Sequence, residues 1–94
     1  MPLITASLTA ENTFSNPIGR ADSVPGDIGI GVAGTFVGTL TVQRSLDGGV
    51  TWGDTATTAT APAQLSVTPV PGALYRCGFK TGAFTSGTAT LQLL

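Results

Sequence analysis

Apolar and polar residues alternate in steps of two through much of this chain, as they do in half-buried β-strands. The residues that this alternation places inward are Ile28, Ile30, Val32, Phe36, Leu40, Val42, Leu65, Val67, Tyr75, Cys77, Phe79, Ala89, Leu91 and Leu93. In FVGTLTVQRS it places Thr39, Thr41 and Gln43 outward. No window of eleven or more residues keeps helical apolar spacing without a glycine, a proline or a β-branched run, so the sequence predicts an all-β protein.

Glycine and proline mark the predicted turns between these strands. The turn signals are Pro25-Gly26, Asp47-Gly48-Gly49, Pro62, Pro69, Pro71-Gly72, Thr81-Gly82 and Ser86-Gly87. With weaker segments near Thr13 and Thr55, about seven or eight strands result. This spacing predicts one antiparallel β-sandwich over residues 1–94, either jelly-roll or immunoglobulin-like, because 94 residues enclose a single modest core.

Three segments are predicted to lie at the margins of this sandwich. Pro69 demotes its segment to a sheet edge, because proline cannot donate to the ladder. Residues 56–63 consist of small residues and are predicted to form a flat edge or a loop. Residues 1–10 carry no turn signal that ties them to the next segment, and we expect an N-terminal arm that adds a strand to a neighbouring subunit.

The chain carries few charges. Only 10% of the residues are charged and the formal net charge is -1, whereas surface charge is what usually keeps monomers apart. Much of the surface is therefore expected to face protein. The four basic residues are scattered, which argues against nucleic acid as a partner. The N-terminal residues fit neither a signal peptide nor a membrane span, so we expect synthesis in a cytoplasm and no membrane partner.

The residue types favour a protein without catalysis. The sequence has no histidine and one cysteine, which excludes Ser-His-Asp and Cys-His catalysis and His-containing zinc sites. Asp22 and Asp27 could hold calcium, but a solvated loop is the favoured interpretation. Asp47 and Asp54 form a poor glycosidase pair, and Cys77 has the parity of a buried, inert thiol. We therefore expect no enzyme activity, no metal and no cofactor.

The string SLDGGVTW, residues 45–52, resembles the Asp-box of sialidases and other β-propeller proteins. Its Ser-x-Asp-x-Gly-x-Thr-Trp spacing suits a tight hairpin, because the aspartate can accept backbone hydrogen bonds and glycines permit positive φ. A propeller needs at least four blades, which this chain cannot supply. The predicted structural hairpin consists of Ser45, Asp47, Gly49, Thr51 and Trp52.

Two longer stretches, GTFVGTLTVQRSLDGGVTW and LYRCGFKTGAFTSGTATLQL, resemble a family of small structural proteins of tailed bacteriophages. The two stretches together make up about two fifths of the chain. The matching positions are Gly34, Phe36, Gly38, Val42, Arg44 to Trp52, Tyr75, Arg76, Lys80 to Gly82 and Thr85 to Thr88. The resemblance implies a β-sandwich virion component, a class that includes capsid decoration or cement proteins.

The resemblance and the residue chemistry lead to the same expectation. We expect a non-enzymatic decoration protein on the capsid exterior of the virion. It would bind the major capsid protein as a homo-oligomer, with a trimer favoured. Two alternatives stay open: a tail, neck or fibre-base component, and a carbohydrate-binding adhesion module. The last requires that Trp52, Tyr75 and Phe84 stand exposed together.

Overall fold

The fold was analysed in a computed structural model that describes residues 4–19, 27–70 and 72–93. Within these ranges the chain is all β and contains no helix. The nine strands of the described residues are β1 Ile4–Leu8, β2 Thr13–Phe14, β3 Ile18–Gly19, β4 Ile28–Ala33, β5 Phe36–Ser45, β6 Gly53–Ala59, β7 Ala63–Val67, β8 Leu74–Gly87 and β9 Ala89–Leu93.

The strands form two antiparallel sheets that pack face to face, which confirms the predicted β-sandwich. One sheet has the order β1-β9-β4-β7. The other has the order β2-β8-β5-β6, with β3 also paired to β8. If β2 and β3 are counted as one interrupted strand, this is the strand order of a jelly roll. An immunoglobulin fold orders its sheets differently, with the first strand beside the second and not beside the last.

The jelly roll is one long antiparallel ribbon that is rolled up on itself. Its successive pairings are β1 with β9, β2 and β3 with β8, β4 with β7, and β5 with β6. In each pairing the two partners lie at nearly equal distances in sequence from Gly48. The turn between β5 and β6, which contains the Asp-box string, is therefore the tip of the whole ribbon.

The core lies between the two sheets, where the alternation predicted it. All the predicted inward residues are buried except Leu65 and Val67, which are half-buried on the edge strand β7. Tyr75, Phe79, Leu40 and Leu91 are among the largest side chains in it. The Tyr75 hydroxyl is satisfied there by the Val70 amide, which donates to it over 2.9 Å.

The structure differs from the simplest reading of the local pattern at two places. Thr41 and Gln43 point to the outer face, as the alternation predicted, but they are buried there. Side chains from neighbouring strands cover that face, as described below. Thr81-Gly82 was expected to be a turn, yet β8 continues through it, with a shift of register against β5 between Gly38 and Leu40. A bulge absorbs the extra residues without ending the strand.

The margins of the sandwich agree in part with their predictions. Residues 53–59 and 63–67 form the edge strands β6 and β7, and Pro69 lies just beyond β7. Residues 4–8, within the expected arm, form β1 and pair with β9 of the same chain. An arm would have to leave this sheet to add a strand to a neighbour. The Pro25-Gly26 turn lies outside the described residues.

Candidate functional site

The five residues of the predicted hairpin lie together in the turn between β5 and β6. The buried Ser45 hydroxyl donates to the Asp47 Oδ1 atom over 2.7 Å and accepts the Gly49 amide over 2.8 Å. Gly48 and Gly49 have φ angles of 77° and 96°, a region that glycine occupies at little cost. The Ser45 hydroxyl thus holds the first half of the turn through these two hydrogen bonds.

Asp47 fixes the second half of the same turn. Its Oδ1 atom accepts the Thr51 amide over 2.9 Å and the Val50 amide over 3.2 Å, and its Oδ2 atom accepts the Thr51 hydroxyl over 2.5 Å. These hydrogen bonds, the Thr51 hydroxyl first among them, lower the pKa of Asp47 from 3.8 to about 2. The carboxylate is thus committed to holding the turn.

Trp52 leaves the turn to join a stack on the outer face of the five-stranded sheet. The Arg76 guanidinium lies 4.3 Å from the centroid of the Trp52 ring and 4.0 Å from the centroid of the Phe14 ring. A cation between two aromatic faces is stabilised by both ring quadrupoles. The stack joins the hairpin tip, β8 and β2 across the sheet.

A chain of polar side chains continues from this stack across the sheet. The Arg76 Nε atom donates to the Gln43 side-chain oxygen over 3.0 Å, and the Gln43 amide donates to Asp54 over 2.9 Å. Lys80 forms an ion pair with the other Asp54 oxygen at 2.6 Å. The Lys80 bond, with help from Gln43, lowers the pKa of Asp54. Gln43 can be buried because its side-chain oxygen and its side-chain nitrogen both have hydrogen-bond partners, Arg76 and Asp54.

Sequence reasoning missed Phe14, Gln43 and Arg76 as members of one cluster. They lie on β2, β5 and β8, which are far apart in sequence, and only the pairing register brings them together. One signal was present, namely a glycine at position 78 two residues after Arg76 in a core strand. A Cβ atom at Gly78 would lie 2.6 Å from the Phe14 Cα atom, so the glycine makes room for β2 and its aromatic ring.

Within the described residues, the other candidates do not combine into a reactive centre. Asp47 and Asp54 are each engaged as described above, and Asp27 is exposed, whereas Asp22 lies outside the described residues. Among the described residues no group of three or more His, Cys, Asp or Glu side chains could hold a metal. Cys77 is buried, and burial raises the pKa of its thiol to about 12, which keeps it protonated and unreactive.

The three aromatic residues named for a carbohydrate site do not share a surface. Trp52 is half-buried in the arginine stack, and Tyr75 is 1% exposed in the core. Phe84 packs edge-to-face on the buried Phe79, with ring centroids 4.8 Å apart. No exposed platform of these three rings is available to stack on a sugar.

The four-stranded sheet presents an outer face without charges. Charged residues of the described ranges all lie outside β1, β4, β7 and β9. Its outward residues are Thr5, Ser7, Gly29, Gly31, Ala33, Gln64, Ser66, Thr90 and Gln92. A shallow depression of about 220 Å³ lies over Gly31, between Gln64 and Gln92. The described strands of this face thus carry no charged side chain that would resist desolvation.

Comparison with known proteins gives no relative of this chain. No family model, no curated protein and no solved structure matches it. No helix in the described part of the chain is long and apolar enough to cross a membrane.

Proposed function

We propose that this chain is a non-enzymatic virion structural protein of a tailed phage, a decoration protein that binds the outer capsid and stabilises the lattice. The observation that carries the proposal is the uncharged outer face of the four-stranded sheet. Jelly rolls are common in viral capsid proteins, which agrees with this role. The resemblance of residues 34–52 and 74–93 to phage structural proteins supports it as well.

The chemistry of this face suits contact with protein. Buried charges cost free energy unless they are paired, and interface cores are depleted of them. Small side chains at Gly29, Gly31 and Ala33 allow another backbone to approach closely, while Thr90 and Gln92 can exchange hydrogen bonds with it. The face therefore offers a contact surface on which no ion must lose its water.

The uncharged sheet edges support the proposed homo-oligomer. Edge strands of isolated proteins are usually protected by lysine, proline or a covering loop. Here β1 and β7 are the two edge strands of the four-stranded sheet, and neither strand contains a charged residue. An oligomer that engages several major capsid subunits gains affinity, because each later contact is effectively intramolecular. Such a protein raises the resistance of the shell to heat and internal pressure.

Cryo-electron microscopy of the parent virion tests the proposal, combined with heating of particles that contain or lack the protein. We expect density on the capsid exterior at a copy number set by capsid symmetry, and earlier DNA release from particles without it. Density confined to the tail or portal vertex would favour the tail, neck or fibre-base alternative. Binding to a glycan array, with no density on the shell, would favour an adhesion module.

A further inference from the structure

The two sheets differ in how their edge strands are protected. In the five-stranded sheet, one edge consists of β2 and β3, which are two residues long each. The other edge is β6, which carries Asp54 and pairs with β5 through a shift of register between Thr41 and Gln43. Short strands, bulges and charges are the usual devices that keep a sheet edge from pairing with another chain. Both edges of the five-stranded sheet therefore resist strand addition.

The four-stranded sheet has none of these devices at its edges. Its edge strands β1 and β7 are five residues long, contain no charge and no proline, and pair with β9 and β4 without a shift of register. Within the described residues no strand pairs with the outer side of either one. An edge strand presents a row of unpaired backbone N–H and C=O groups. What satisfies such a row is another β-strand.

The apolar side chains of these two edges are also incompletely covered. Ile4 and Ala6 on β1 pack against the core but are only half-buried, and so are Leu65 and Val67 on β7. A strand added to the same sheet would place its own side chains directly beside them. To bury them, that strand must carry apolar residues on the core side and polar residues on the outer side.

The opposite edge of the same sheet, in a second copy of this chain, meets these requirements. Every neighbouring pair in the order β1-β9-β4-β7 is antiparallel, so β1 and β7 run in opposite directions. Two copies side by side in one orientation therefore bring β7 of one against β1 of the next as an antiparallel pair. Full-length pairing places Thr5 opposite Ser66 and Ser7 opposite Gln64 on the outer face, and Ile4, Ala6 and Leu8 opposite Val67, Leu65 and Ala63 on the core side.

We propose that copies of this chain assemble by antiparallel pairing of β7 of one copy with β1 of the next, which joins their four-stranded sheets into one. The inference rests on the proposed function and names the surface that forms its homo-oligomer. Because the two edges are different, every copy in a closed ring has both of them covered. Pairing of β7 with β7 would stop at a dimer and leave β1 of both copies uncovered.

Charges placed on the two strands test this pairing in the purified full chain. One double variant combines Ser66→Lys with Thr5→Lys, and the other combines Ser66→Lys with Thr5→Glu. Like charges directly opposite each other destabilise a strand pair, whereas opposite charges stabilise it. We expect the dissociation constant from sedimentation velocity to be about threefold or more higher for the first variant than for the second.

The matched control separates this contact from a general effect of net charge. It combines Ser66→Lys with Thr58→Lys, which adds the same charge at an exposed residue on β6 of the other sheet. We expect the control to associate more tightly than the variant with lysine at positions 5 and 66. Thermal melts of all three variants verify that each is folded.

Three results would overturn the pairing of β7 with β1. They are a wild type that is monomeric at every concentration measured, equal association of the two double variants, as pairing of β7 with β7 predicts, and a control that dissociates as readily as the variant with two lysines. The capsid experiment fails or succeeds separately. A monomer found on the capsid exterior would keep the decoration role and reject this pairing, whereas an oligomer absent from the capsid would do the reverse.

Discussion

One carboxylate organises the tip of this molecule. Asp47 accepts two backbone amides and a hydroxyl from residues 50 and 51, and receives a further bond from Ser45. Each of these bonds favours the ionised form, which is the physical reason for its low pKa. The geometry of the hairpin thus depends on a group that stays charged at all but very acid pH.

Asp47→Ala should lower the melting temperature near neutral pH, because the four donors that the carboxylate accepts lose their common acceptor. Asp47→Asn keeps the shape and removes the charge. The folded pKa of about 2 lies below the ordinary value of 3.8, so the charge stabilises the fold above about pH 4, and this contribution is lost as the pH falls toward 2. The difference in melting temperature between wild type and Asp47→Asn should therefore shrink over that window.

Circular dichroism melts at several pH values make this measurement. The Asp54 carboxylate also has a lowered pKa, but it is present in both proteins and cancels in the difference. A difference that stays constant from neutral pH to about pH 2 would show that the Asp47 charge does not hold the turn.

Among the elements, the short strand β2 depends on a single neighbouring position, Gly78 of β8. It pairs with β8 through Thr13 with Phe79 and Phe14 with Gly78. The absence of a side chain at Gly78 lets the backbone of β2 and the Phe14 ring lie directly on β8. Phe14 then covers one side of Arg76, so the arginine stack depends on this close approach.

Gly78→Ala should destabilise the protein by about 1 to 3 kcal/mol, because the new methyl group would force β2 away from β8. Its Cβ atom would lie 2.1 Å from the Thr13 carbonyl oxygen. Gly29→Ala on β4 is the matched control, since a Cβ atom there has no neighbour within 4 Å. Urea denaturation followed by Trp52 fluorescence compares the two. Equal stability of both variants would contradict the assigned role of Gly78.

The first strand is another element whose contribution can be measured. Five residue pairs join β1 to β9, and Leu8 is buried in the core. Deletion of residues 1–9 should lower the stability of the isolated domain, because β9 loses its outer partner and the core loses Leu8. A melting temperature equal to that of the full chain, with weaker assembly on capsids, would instead support an arm that leaves this sheet for a neighbour.

At the scale of the whole molecule, charge is distributed unequally between the two sheets. Arg44, Asp54, Arg76 and Lys80 all lie on strands of the five-stranded sheet, whereas the four-stranded sheet carries no charged residue in its described strands. The molecule thus has one face with a polar network of its own and one face whose polar groups are small and uncharged. A partner can cover the second face without separating an ion pair.

Thr90→Glu on β9 should weaken the proposed binding to capsids by about tenfold or more while the fold is kept, because that contact would bury a carboxylate without a partner. Thr58→Glu is the matched control, an exposed threonine on β6 of the other sheet. Cosedimentation with capsids and a thermal melt are the two measurements. Equal loss of binding in both variants would point to a general charge effect, and no loss in either would remove this face from the proposed contact.

The sequence by itself determined the class of fold and most residues of the core, although not Leu8, Ile18, Ala59 and Ala73. Alternation in steps of two is a local property, because successive side chains of a strand point to opposite faces whatever the strand pairs with. The hairpin around Asp47 was also predictable, since its hydrogen bonds join residues at most four apart. The low charge of the chain is also a property of the sequence. The unequal distribution of the charged residues between the two sheets could not be predicted from it.

Only the tertiary structure decided which strands are neighbours. The β1 strand pairs with β9, and Phe14, Gln43 and Arg76 meet across three strands, through contacts whose partners lie far apart in the chain. How far these three side chains are buried depends on which strands lie beside them. The alternation of residues along one strand does not indicate its neighbours. For the same reason the sequence could not show that β8 continues past Thr81-Gly82, because this depends on its pairing with β5 on both sides of a register shift.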